Sequence, residues 1–212
     1  MLNTLPRPYG SDATDTIYNL LFCDALELYK TNHSGADDHP WDAILSDAPV
    51  EADLRAVVED DSVESRLRLL AANRLRSMGS AAGEKRLFGV VAEVRLDEGL
   101  DTLAAYADGT ARYINHTGKM VVWESPTPES NALISELISA GWTIAQRIGP
   151  WKGDRLPAPT AGKARISFLV SDGLSFGEAP FEVLQKDAMG GAVLNSAAAL
   201  MGFLIDRSLG QS

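Results

Sequence analysis

Imidazole chemistry has few places to reside in this chain, which holds three histidines among 212 residues. Two of them, His33 and His39, stand with Asp37, Asp38 and Asp42 in one turn-rich segment. Imidazoles and carboxylates in that mixture are the donor types that bind transition metals. Their spacing matches no metal motif, however, and no H-E-x-x-H helix is present, so a solvated acidic loop is the plainer reading and no metal or other cofactor is expected. The third histidine, His116, lies beside Tyr113, Asn115 and Lys119 around a Thr117-Gly118 turn, where Asn and His commonly serve as turn formers. To act as an acid–base group His116 would have to converge with Asp172 or Glu178, the arrangement that a hydrolase or transferase of unfamiliar type would need. Those acids belong to the segment DGLSFGEAPF (172–181), which has neither the G-x-S-x-G spacing of a nucleophile elbow nor the G-K-S/T of a phosphate loop. It reads as a turn followed by a helix entry.

The other constellation is electrostatic. Arg147, Lys152, Arg155, Lys163 and Arg165 place five cations against Asp154 alone, with Trp151 among them, in a chain whose net charge is −10. Such an arm suits an anionic ligand or an acidic protein partner, or else it pairs with the chain's own acidic helices. These six residues, Arg147, Trp151, Lys152, Arg155, Lys163 and Arg165, are the binding candidates. No triad, metal set, phosphate loop or dinucleotide fingerprint can be assembled, which points to a non-catalytic binding or protein-interaction module. The acidic balance argues against nucleic acid, because phosphate neutralisation needs a basic face. Cys23, the single cysteine, excludes an intramolecular disulfide and a cysteine-rich zinc module. Its neighbours Leu20, Leu21, Phe22 and Leu26 imply a buried thiol.

The elements that must position these residues centre on residues 87–124, which read as an antiparallel meander. Phe88, Val90, Ala92, Val94 and Leu96 alternate with the period of a half-buried strand. Asp108-Gly109 and Thr117-Gly118 are hairpin signals. Read as two-residue loops, they set Ala104 opposite Tyr113 and Leu103 opposite Ile114, then Ile114 opposite Val121 and Arg112 opposite Trp123. Leu103, Ile114 and Val121 would then share one face, with Arg112 over the Trp123 ring, while Ala104, Tyr113 and Val122 share the other. Both faces are partly apolar, so helices are expected to cover at least one.

Upstream, helical spacing predicts helices over 14–30, 49–59 and 61–79, the last opened by an Asp61/Glu64 capping box and ended by Gly79. Residues 1–79 carry seven basic against fourteen acidic residues, so this part is the acidic one. Downstream, Thr127-Pro128-Glu129 opens a helix. A proline-rich arm follows over 149–164, then a strand over 165–170, the Asp172-Gly173 turn and a short returning strand. Pro180 opens a further helix, which Gly190-Gly191 should break, and the last helix runs to about Leu209. The pattern predicts one α+β domain over 1–212, with a helical part (1–79), a β-meander (87–124) and a helix, arm, strand and C-terminal helices (125–212). Its core is a central antiparallel sheet of about five or six strands with helices packed on it.

Residues 188–205 carry no charge, which approaches the length of a membrane span. Internal Gly, Asn and Ser residues and the acidic flanks Asp187 and Asp206 argue instead for a buried helix. With no secretory signal in MLNTLPRPYGSD, cytoplasmic residence is the default expectation. Gly191, Asn195, Ala198 and Gly202 form one helical face and Val193, Ala197, Leu200 and Leu204 another. Two such faces need two partners, which raises a homodimer through the 191–205 helix. The stretches Leu100-Asp101-Thr102-Leu103, Arg112-Tyr113-Ile114-Asn115 and Ser171-Asp172-Gly173 resemble an uncharacterised bacterial protein family. That resemblance implies no activity and no site residues.

Overall fold

The computed structural model describes residues 5–32 and 38–209. Its centre is one six-stranded antiparallel sheet built from β1 (Leu87–Leu96), β2 (Gly99–Tyr106), β3 (Ala111–Ile114), β4 (Met120–Trp123), β5 (Lys163–Val170) and β6 (Gly173–Pro180). The strand order is β4-β3-β2-β1-β5-β6, so long pairings flank β1 on both sides. Helices cover both faces, as the mixed apolar character of the strands requires. The first face meets α1 (Asp12–Leu20), α2 (Leu26–Asn32), α3 (Trp41–Leu45), α4 (Glu51–Glu59) and α5 (Ser65–Ser77), whose buried Tyr18, Ile44, Leu54, Leu70 and Leu75 join Phe88, Val91, Tyr106 and Ile114. The second face meets α6 (Pro128–Ala145) and α8 (Gly190–Leu209), with the short α7 (Phe181–Lys186) at its margin. The α+β architecture expected of the sequence is therefore present.

Local chemistry explains where helices start and stop. Thr127 caps α6, accepting from Ser130 N at 3.1 Å while Ser130 Oγ accepts from Thr127 N at 2.8 Å. Asp187 Oδ1 accepts from Met189 N (3.0 Å) and Gly190 N (2.7 Å) at the start of α8. Gly141 lets α6 lie close on β1, since a Cβ there would stand 2.6 Å from Val90 Cγ2. The expected capping box on the third helix is not formed. Asp61 instead pairs with Arg68 at 2.7 Å, and the Ser65 N–H at the start of α5 donates to Asp108 Oδ2 at 2.7 Å, from a hairpin loop 43 residues away. The expected helix over 14–30 is two helices: the chain turns at residues 21–23, where Cys23 has φ +52°, and Asn73 Nδ2 donates to its carbonyl at 2.6 Å.

Both hairpins sit one residue away from the expected register. Leu103 pairs with Tyr113 and Ala104 with Arg112; Tyr113 pairs with Val121 and Arg112 with Val122. The loops hold three residues instead of two. Tyr106 N donates to Thr110 O at 2.9 Å, Asn115 N donates to Lys119 O at 2.9 Å, and Gly109 and Gly118 take φ values of +86° and +81° at the third loop position. Side chains hold this geometry: Asp108 Oδ1 accepts from Thr110 N and Oγ1, and Asn115 Oδ1 from Thr117 N, Thr117 Oγ1 and Lys119 N. One residue of slip exchanges the faces. Leu103, Tyr113, Val121 and Trp123 look toward α6 and α8, and Ile114 toward the N-terminal helices. Arg112 consequently does not lie over Trp123; it pairs with Glu124 at 2.6 Å, and the Trp123 ring meets Phe203 edge-on at 5.2 Å. In β1 a register irregularity between Leu87 and Gly89 moves Phe88 to the N-terminal face, off the expected alternation with Val90 and Ala92.

A row of polar side chains crosses the first face beneath the N-terminal helices. Register aligns Thr102, Glu93, Arg165 and Glu178 on β2, β1, β5 and β6. Tyr18 OH donates to Glu93 Oε1 at 2.6 Å, and Arg165 lies 3.8 Å from Glu93 Oε2 and 2.5 Å from Glu178 Oε2. Glu93 is wholly buried, and burial raises its carboxyl above the ordinary value despite the Tyr18 hydrogen bond and the Arg165 charge. Burial also pushes at Glu178, but hydrogen bonds from Arg165 and Lys163 outweigh it and hold that carboxyl low.

Candidate functional site

The six residues of the basic arm are dispersed. Arg155 donates to Asp24 (2.7 Å) and Asn19 (2.6 Å) and lies over the Phe22 ring at 4.1 Å. Lys163 and Arg165 both reach Glu178, and Arg165 also donates to the Pro157 carbonyl at 2.7 Å. Trp151 packs edge-on against Phe176 and remains half exposed, while Arg147 lies against Met189 and Lys152 is exposed. Trp151 and Arg155 line a wide, open hollow of about 460 Å³ with Arg76, Asp24 and Asp154, in which the charges of the two arginines are matched by two carboxylates.

The histidine constellations are likewise separated. His33 and Asp37 lie outside the described residues. Asp38 is exposed, as are His39 and Asp42, whose Nδ1 and Oδ1 are 3.9 Å apart. Among the described residues no three His, Cys, Asp or Glu side chains are placed to share a metal ion. His116 meets neither Asp172 nor Glu178. Three strands separate β3 from β6, roughly 19 Å of sheet width at about 4.8 Å per strand. Asp172 pairs with Lys85 at the opposite end of the sheet. Ser175, in the same segment, is a buried residue of β6.

What the register brings together is a different site. Ala92, Leu103 and Tyr113 are neighbours across β1, β2 and β3, with Val94 and Asp101 paired in the next row. These residues form the floor of an apolar cavity of about 230 Å³, roofed by Leu194, Asn195, Ala197, Ala198 and Met201 of α8 and closed at the side by Phe181 and Gln185 of α7. The hollow exists because Ala92 on the floor and Ala197 and Ala198 on the roof are small. Close packing of α7 on α8 holds the side wall in place: a Cβ at Gly190 would stand 2.7 Å from Leu184 Cδ1, and one at Gly191 would stand 2.3 Å from the Gln185 carbonyl oxygen.

Asp101 is the charged residue of the lining. Its Oδ1 accepts from Tyr113 OH at 3.0 Å and from His116 N at 2.9 Å, and His116 Nδ1 lies 3.8 Å away, beyond hydrogen-bonding reach. Burial, with Asp101 beside it, raises the Tyr113 hydroxyl well above the ordinary phenol range, so it acts as a donor and not as a phenolate. Among the described residues no Ser, Thr, Cys, Lys or His side chain lines the cavity. The arrangement can therefore enclose an apolar body and hold a polar group at one fixed carboxylate. Sequence reasoning singled out Tyr113 and His116 but not Asp101, Phe181 or Ala92. The available signal was Asp101 itself, an acid two residues before Leu103 and hence on the same face of an apolar strand. Compared with protein-family models, curated proteins and solved structures, the chain matches none.

Proposed function

We propose that this chain is a non-catalytic binding module that takes a small, largely apolar ligand between its sheet and its C-terminal helix. The observation that carries this reading is the cavity of about 230 Å³ with its apolar walls and single carboxylate. An apolar cavity of about 150 Å³ suffices for a benzene ring, so one ring with a short tail, or a chain of similar bulk, is the size supported. We assign it to the cytoplasm, where one reduced buried cysteine is ordinary. A second copy of the chain is the macromolecular partner in this reading. Of the small-residue face, Gly191 is buried against α7, while Asn195 and Ala198 are exposed and a Cβ at Gly202 would meet nothing within 4 Å, so the face from Asn195 to Gly202 is open to another backbone.

Ligand-observed NMR with 2-phenylethanol tests the cavity. Binding is expected in the wild type and loss of at least about tenfold in affinity in Ala198→Phe, where a ring on an exposed helix position fills the roof without disturbing the buried face. Absence of binding in the wild type, or equal binding in the variant, would overturn the reading.

A further inference from the structure

Resting on that reading, we infer that the ligand of the α8 cavity is an amphiphilic amine, an aromatic or short aliphatic body carrying one ammonium group that pairs with Asp101. Three observations converge on this chemistry. Among the described residues Asp101 is the single ionisable acid or base in the lining besides the Tyr113 phenol, and the His116 ring, outside the lining, stands 3.8 Å from its Oδ1. Two donors fix its Oδ1 in place, Tyr113 OH and His116 N, while its Oδ2 accepts no hydrogen bond from the described residues. That leaves one oriented carboxylate oxygen with unused acceptor capacity at the edge of an apolar space, where a charge-assisted hydrogen bond is stronger than a neutral one.

The aromatic walls agree with a cation. Tyr113 and Phe181 both line the cavity, and a ring face within about 6 Å attracts an ammonium group. A carboxylate or phosphate ligand would meet Asp101 with like charge. A neutral alcohol would fill the apolar space but leave the carboxylate with only an ordinary donor. At longer range the net charge of −10 favours approach of cations over anions. The roof contributes Asn195 and the side wall Gln185, both uncharged, which adds no competing positive charge.

The test uses the full chain and three probes of one shape: 2-phenylethylamine, 2-phenylethanol and phenylacetate, compared by titration calorimetry at 0.15 M salt. The amine is expected to bind at least about tenfold more tightly than the alcohol, and the acid more weakly than both. In Asp101→Asn, whose side-chain oxygen still accepts from Tyr113 and His116, the amine advantage should vanish while alcohol affinity changes by less than about threefold. Circular dichroism and thermal midpoint would show that the variant remains folded. Alcohol and amine binding with equal affinity would overturn the amine assignment and leave the cavity reading standing. Amine binding that persists undiminished in Asp101→Asn would place the amine on the acidic surface and overturn it as well. Failure of all three probes would overturn both.

Discussion

A glutamate with no exposure to solvent is a costly residue to place at the centre of a sheet. Glu93 accepts one hydrogen bond from Tyr18, its other oxygen has no hydrogen-bond partner among the described residues, and Arg165 stands 3.8 Å from it. Attraction across that distance does not compensate the loss of water, and burial therefore raises the carboxyl. Folding thus favours the protonated form. Its contribution to stability is complete below the ordinary glutamate value of about 4.3 and declines as pH rises through the folded-state value. Glu93→Gln keeps an acceptor for Tyr18 and cannot ionise, so the wild type should lose thermal midpoint relative to this variant as pH increases from about 4 toward neutrality. Parallel melting curves across that range would mean that the native and unfolded chains ionise Glu93 alike, and that burial does not raise it. Lys163 and Arg165, candidate binding cations in the sequence, act in this row as partners of Glu178.

Among the elements, the β2–β3 loop does more than reverse the chain. Asp108 closes its own loop on Thr110 through Oδ1 and caps α5 at Ser65 N through Oδ2, so one carboxylate ties the meander to the N-terminal helices. Asp108→Ala should remove both functions and lower stability by about 1–2 kcal/mol, the range for a lost helix cap. Urea denaturation reads this as a lower midpoint at unchanged slope. Asp108→Asn, which keeps an acceptor oxygen, should recover part of the loss. Equal midpoints for the wild type and Asp108→Ala would mean that the loop and helix are held by packing alone.

For the whole molecule, the consequence of covering both sheet faces is that α8 has one side against the sheet and another side open. Val193, Leu200 and Leu204 are wholly buried. Among the described residues α8 is the helix long and apolar enough, by length and composition, to cross a membrane, yet here it packs on α6 and the sheet. Asn195 and Ala198 both line the cavity and face outward, so a twofold pairing of α8 would cover the cavity mouth with the second copy. Light scattering at micromolar concentration should then give twice the chain mass of 22.8 kDa. In that state 2-phenylethanol should exchange more slowly than in a diluted sample. A single-chain mass at every concentration would remove the dimer and leave the cavity to be tested by itself.

The sequence by itself determined most element types and their order, because these follow from local periodicity and turn chemistry, but not the division of the first helix into α1 and α2 or the presence of α3. Alternating apolar residues and Gly-containing turns marked the meander, Thr127-Pro128 marked the start of α6, and Gly190-Gly191, expected to break a helix, are the first residues of α8. It also determined that Cys23 would be buried, since its neighbours are apolar. Register was decided by the folded loops, where Asp108 and Asn115 side chains and left-handed glycines add one residue to each turn and move Tyr113 to the face of Leu103. The candidate site depends on that slip. Asp101, Tyr113, Phe181 and Ala198 come from β2, β3, α7 and α8, up to 97 residues apart in the chain. No local pattern relates residues at such separations. Only the packing of α7 and α8 over three paired strands leaves the space between them, with one carboxylate at its edge.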